Sequence, residues 1–202
     1  MQPLEKQSLS FEEWLEAERA SLEGKTEYFG GEVFAMAGGS EAHNLIAGNV
    51  HAELRASFKG RPCYAYTSDM KVWIASVELG AYPDAMVICG EREFRDGRRD
   101  VVTNPSLIVE VLSDSTELYD RGKKFEHYRK LPSLQGYLLL SQQQVSAELF
   151  QRDGDGRWFL RDYNQLDQSI DLPWLDVSLP LSEVYDKVEF IPVAKTDGVA
   201  DV

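Results

Sequence analysis

The segment Ser106-Leu-Ile-Val-Glu-Val-Leu112 is apolar on both of its alternating faces, with Leu107, Val109 and Val111 on one and Ile108 and Leu112 on the other. A strand without a polar face is covered from both sides, so this one belongs in the interior of a sheet. Glu110 interrupts it. Taking a lone carboxylate out of water costs several kcal/mol. Its charge must meet a cation, a hydrogen-bonding shell or a proton. Two readings stand at this position: a buried ion pair with a lysine or arginine, and a ligand to a metal ion.

Upstream, Tyr82-Pro-Asp-Ala-Met-Val-Ile-Cys89 reads as a strand with Asp84 near its start, where Pro83 withholds an amide donor. By itself Asp after Pro is an ordinary turn signal. Paired with Glu110 on an adjacent strand it becomes a second acid aimed at one point. Two converging carboxylates repel unless a divalent cation lies between them, and Mg²⁺ needs only one or two such ligands because it keeps several waters.

Downstream, Asp114-Ser-Thr-Glu117 is a capping signal for a helix from about Thr116 to Lys130, ended by Pro132. Lys124 stands four residues after Asp120 and four before Tyr128. The plain reading is an Asp–Lys pair on a helix surface. The functional one turns the ammonium toward the two acids, where it would stabilise charge on a phosphate. Asp120 would then orient Lys124.

Further out, Ser10-Phe-Glu-Glu13 forms a capping box that opens a helix to about Leu22. Strands over Thr26–Phe29 and Glu32–Ala37 flank Gly30-Gly31. Leu45, Ile46, Val50, Leu54 and Phe58 mark the apolar face of a second helix, stopped by Gly60 and Pro62. Three extended segments follow, at Met70–Ala75, Tyr82–Cys89 and Ser106–Leu112, with a charged surface loop over Gly90–Asn104. Strands are expected again at Gln135–Leu140, Ser146–Gln151 and Trp158–Tyr163. The central order is helix, three strands, helix, strand: an α/β core with a mixed sheet and additional hairpins at both ends.

Taken as an ordered set, several motifs carry a resemblance: Gly31-Glu-Val33, Ala35-Met-Ala-Gly-Gly-Ser40-x2-His43, Tyr82-Pro-Asp84, Pro105-x4-Glu-Val-Leu-Ser113 and Asp120-x3-Lys124-Phe-x2-Tyr128. From Thr26 to Leu140 the chain resembles the Uma-type family of the PD-(D/E)XK, restriction-endonuclease-like superfamily. The resemblance implies a restriction-endonuclease-like core and Mg²⁺- or Mn²⁺-dependent hydrolysis of DNA phosphodiesters. It implies Asp84 and Glu110 as catalytic acids and metal ligands, joined by the carbonyl of Val111. The superfamily usually places a lysine two residues after the second acid. Leu112 stands there instead, and the resemblance moves that role to Lys124, with Lys123 as the fallback. Glu32 would be an additional acid at the site, with Glu27 a weaker competitor. His43, Lys123 and Arg121 are candidate DNA contacts. A homodimer is the expected assembly, since nucleases of this architecture often cut both strands as pairs.

The chain has 202 residues and a net charge of −13. Residues 51–130 hold equal numbers of basic and acidic side chains, so the acidic excess lies toward the ends. That leaves local basic clusters, Arg92 to Arg99 and Arg121 to Lys130, on an otherwise acidic body. Residues 1–190 read as a single domain and 191–202 as a flexible tail. No apolar run is long enough for a membrane helix, and the polar N-terminus does not resemble a secretion signal. Two cysteines suggest a cytoplasmic protein with both thiols reduced. Two rival functions share the fold: a catalytically inactive DNA-binding or protein-interaction module, and an enzyme for small phosphate esters. For the first, a chain cation on Glu110 would be the telling feature.

Overall fold

The computed structural model describes residues 9–22, 24–36 and 38–190. The tail expected at 191–202, and the end of the second strand at Ala37, lie outside the described residues. In chain order the elements are α1 Phe11–Ala20, β1 Thr26–Phe29, β2 Glu32–Ala35, α2 Glu41–Ser57, β3 Cys63–Thr67, β4 Lys71–Ile74, β5 Leu79–Ala81, β6 Ala85–Cys89, β7 Val101–Val102 and β8 Leu107–Leu112. There follow α3 Glu117–Tyr119, a π-helical turn Asp120–Lys124, α4 Phe125–Tyr128, β9 Gly136–Ser141, β10 Ala147–Arg152, β11 Trp158–Tyr163, β12 Ser169–Leu172, β13 Val177–Pro180 and α5 Leu181–Val184.

Two sheets share the core. The larger has the order β11-β10-β9-β8-β6-β3, and it is mixed because β8 and β9 run parallel while its other pairs are antiparallel. The second has the order β2-β1-β5-β4-β7. One face of the large sheet packs Leu107, Val109 and Val111 against Ile46, Val50 and Leu54 of α2 and against Ile170 and Leu179 of the β12–β13 hairpin. The other face packs Ile108 and Leu112 against Val72 and Leu79 of the second sheet and Tyr128 of α4. Every residue of β8 is buried for this reason. The two-sided apolar pattern of 106–112 is a strand sandwiched between two layers.

The local signals at the first two helices are realised. Ser10 and Glu13 make the reciprocal bonds of a capping box, Ser10 N–H donating to Glu13 Oε2 at 2.8 Å and Glu13 N–H to Ser10 Oγ at 3.2 Å. Ser40 Oγ accepts from His43 N–H at 3.1 Å and opens α2. Gly30 and Gly31, at φ +55° and +92°, form the two-residue turn joining β1 to β2, a conformation that glycine adopts without a steric penalty. Gly80 admits the indole of Trp14, since a Cβ there would stand 2.7 Å from the ring.

Four expectations are corrected. The first core strand is Cys63–Thr67, not Met70–Ala75: β3 pairs with β6, while Lys71–Ile74 joins the second sheet. β3 is an edge strand with no buried residue, so its sequence lacks a strong pattern. Tyr82–Asp84 is not strand but the crossing from β5 in one sheet to β6 in the other. The charged loop after β6 contains β7, whose Val101 and Val102 are buried against β4. The helix expected from Thr116 to Lys130 is broken by the π turn, and Thr116 makes no side-chain cap. The Ser113 carbonyl accepts instead from the amides of Thr116 and Glu117 at 3.1 and 2.9 Å.

The expectation of reduced thiols is also corrected. Cys63 and Cys89 are cross-strand partners in the β3–β6 ladder, and their sulfurs are bonded. Register creates this pair, and nothing local to either cysteine signals it. Among the described residues no helix is long and apolar enough to cross a membrane.

Candidate active site

The crossing Tyr82-Pro83-Asp84 sets the first acid. Because Ala85 pairs with Val109, Asp84 falls beside Glu110 at the end of the β6–β8 ladder. Asp84 Oδ2 accepts the Val111 N–H at 2.7 Å, and Oδ1 stands 3.0 Å from His43 Nε2. Burial alone would lower the His43 pKa, but the hydrogen bond and charge of Asp84 outweigh it and raise it above the usual histidine value.

Glu110 is 4% exposed. Its Oε1 accepts from Tyr128 OH at 2.9 Å and lies 2.9 Å from Lys124 Nζ. The same ammonium is 3.2 Å from Glu27 Oε1 and 3.4 Å from Asp120 Oδ1. Burial disfavours the Lys124 charge, yet Glu110 and Glu27 hold it protonated, well above the lysine range. Burial pushes Glu110 upward in turn, against the pull of Lys124. Asp120, Lys124 and Tyr128 repeat every four residues along the π turn and α4, and all three are buried. Tyr137 OH donates to the Asp120 carbonyl at 3.0 Å and ties that turn to β9.

Asp84, Glu110, Val111, Lys124, His43, Glu27 and Asp120 open on one cavity of about 630 Å³. Glu32 does not line it. It lies at the turn end of the hairpin, opposite Phe29. Glu27, two residues earlier on β1 than Phe29, reaches the lysine instead. Its signal was faint: a single acid in the four-residue strand Thr-Glu-Tyr-Phe, aimed inward by the packing of the second sheet. Arg121 is turned away, paired with Glu117 and Glu148. Lys123 is exposed and outside the cavity lining. Tyr128, first noticed only as a motif landmark, is a direct partner of Glu110.

The donor set suits a hard divalent cation. Asp84 and Glu110 carry the oxygen donors that Mg²⁺ or Mn²⁺ takes, and Val111 lines the same cavity. Three carboxylates share one ammonium, with Asp84 beside them, and the buried Glu27 Oε1 and Asp120 Oδ1 have no partner besides that ammonium. Among the described residues no three His, Cys, Asp or Glu side chains converge as a ready-made metal cage.

The mixed sheet, its flanking helices and the acids at the end of its central strands define a restriction-endonuclease-like protein. The chain belongs to the Uma2 family, described as "Putative restriction endonuclease", which it matches over residues 11–182. It is similar to two uncharacterized Synechocystis proteins. It is 41% identical to sll1609, over 76% of this chain and 86% of that protein, and 36% identical to slr1290, over 90% and 94%. In fold it is similar to the crystal structure of a "putative nuclease belonging to DUF820" from Anabaena variabilis. That likeness has a TM-score of 0.70 at 15% identity, covering 88% of this chain and 97% of that one.

Proposed function

We propose that the chain is a Mg²⁺- or Mn²⁺-dependent endonuclease that hydrolyses DNA phosphodiester bonds in the 630 Å³ cavity, with a homodimer as the form that cuts both strands. The observation carrying this reading is the meeting of Asp84, Glu110 and the Lys124 ammonium in one cavity of a nuclease-family fold.

Asp84, Glu110 and the Val111 carbonyl are the residues to hold the ion, which supplies Lewis-acid polarisation of the phosphate and a more acidic bound water. Lys124, kept cationic by its carboxylate neighbours, stabilises negative charge gathering on the phosphate oxygens. Tyr128 fixes one oxygen of Glu110, and the Val111 amide fixes one of Asp84. His43 braces the other Asp84 oxygen and presents its ring to the cavity.

A second reading has its own observation. Lys124 already meets the Glu110 charge within the chain, as a catalytically inactive binding module would have it. Supercoiled plasmid with Mg²⁺ or Mn²⁺ decides between them. The nuclease nicks it, and Asp84→Ala and Glu110→Gln remove nicking. Equal cleavage by parent and variants rejects the assignment. Intact plasmid, with no rise in Tm on adding Mn²⁺, favours the binding module.

A further inference from the structure

A second cavity of about 490 Å³ adjoins the first. The two share Met36, Gly38, Gly39, His43 and Asp84, so they form one groove with Asp84 at its waist. The halves differ in chemistry. The first half holds Glu27, Glu110, Asp114 and Asp120 besides Asp84. The second is lined by Lys25, Asn44, His51, Thr67 and Ser68, and Asp84 is the single acid among its described lining residues. On a chain of net charge −13, a wall of ammonium, amide and hydroxyl groups, with His51 Nε2 turned to the Ala65 carbonyl at 3.3 Å, matches a ligand rich in anionic acceptor oxygens. These are the side chains that contact phosphate and sugar. Lys25 is held by the Ser68 carbonyl and by Asp69. Asp69 is 83% exposed, so a phosphate can replace it.

Gly48 is an independent observation. It lies in the interior of α2, where glycine weakens a helix relative to alanine. A Cβ at this position would meet no atom within 4 Å, so no packed neighbour requires the missing side chain. Its bare backbone opens on the groove, with Asn44 one turn before it and His51 one turn after. Glycine at such a place lets a ligand pass close to the main chain.

We propose that this second half of the groove binds the sugar–phosphate backbone of the DNA strand on one side of the scissile phosphate, with Gly48 leaving room for its passage. The inference rests on the nuclease reading, which puts the scissile phosphate beside Asp84.

The test measures binding of a fluorescently labelled duplex oligonucleotide by anisotropy, at low salt with Ca²⁺, alongside plasmid nicking. Gly48→Glu adds a carboxylate to the groove wall at a position where a Cβ meets no atom within 4 Å. Ala56→Glu adds the same charge to an exposed α2 position outside both cavities. Gly48→Glu is expected to weaken binding by about tenfold or more, while Ala56→Glu binds as the parent does. The Tm of Gly48→Glu is expected not to fall, which separates lost binding from lost folding. Parent-like binding by Gly48→Glu overturns the subsite, and so does a parent that binds no duplex. Nicking with parent-like Gly48→Glu binding sinks this inference alone. Loss of binding in Gly48→Glu with no nicking by the parent upholds the subsite and sinks the nuclease reading alone.

Discussion

Asp84 accepts a 2.7 Å hydrogen bond from the backbone amide of Val111. The first acid is thereby clamped to the residue that follows the second, and the distance between the two is set by a sheet register rather than by a flexible loop. Asp84→Ala removes the acceptor and leaves a buried amide unsatisfied. The expected cost is about 1–3 kcal/mol, seen as a Tm lower by a few degrees. Asp84→Asn keeps an acceptor oxygen and is expected to restore most of that Tm without restoring nicking. Equal Tm values for the two variants would show that the clamp contributes nothing.

Lys124 is the cation for three buried acids. Lys124→Met leaves Glu110, Glu27 and Asp120 without it, and the expected loss is about 3–5 kcal/mol. Adding Glu110→Gln removes the carboxylate nearest the missing ammonium, at 2.9 Å in the parent, so the double variant is expected to be more stable than Lys124→Met alone. Urea unfolding of the four proteins gives the coupling. Additive losses would mean that the pair is not an energetic unit.

The raised pKa of His43 makes stability depend on pH. A group whose folded pKa lies above its unfolded value binds protons more tightly in the folded state. The stability it contributes is complete below the unfolded value of 6.5 and disappears as pH rises through the higher folded value. His43→Asn is expected to flatten this limb of the stability curve above pH 6.5. Urea midpoints read at successive pH values check it, and an unchanged slope would assign the pH dependence elsewhere.

The Cys63–Cys89 bond spans 26 residues of sequence, the stretch that carries β4, β5 and Asp84. In the chain-entropy account, closing a loop of that length contributes about 3–4 kcal/mol. Reduction, or Cys63→Ser with Cys89→Ser, is expected to lower Tm clearly while leaving the β3–β6 ladder in place. Thiol titration of the unfolded, unreduced protein should find no free sulfhydryl.

The local features were legible. The burial of residues 106–112 on both faces, the cap at Ser10 and the Gly30-Gly31 turn depend on neighbours in sequence, and the side-chain pattern records them. The π turn was not legible, because Asp120 to Lys124 carry no signal distinguishing a widened turn from an ordinary one. The choice between Glu27 and Glu32 was not legible for a related cause: both lie on one short hairpin, and only the docking of that hairpin decides which reaches the lysine.

The sequence by itself determined that an acid would be embedded in an apolar central strand and that a basic residue on the next helix was available to meet it. Tertiary structure alone decided that Lys124 serves three carboxylates, that Cys63 meets Cys89, and that α2 and the glycines before it line a continuous groove. Those relationships follow from the register between strands distant in sequence and from the stacking of one sheet on another. No window of neighbouring residues contains either quantity.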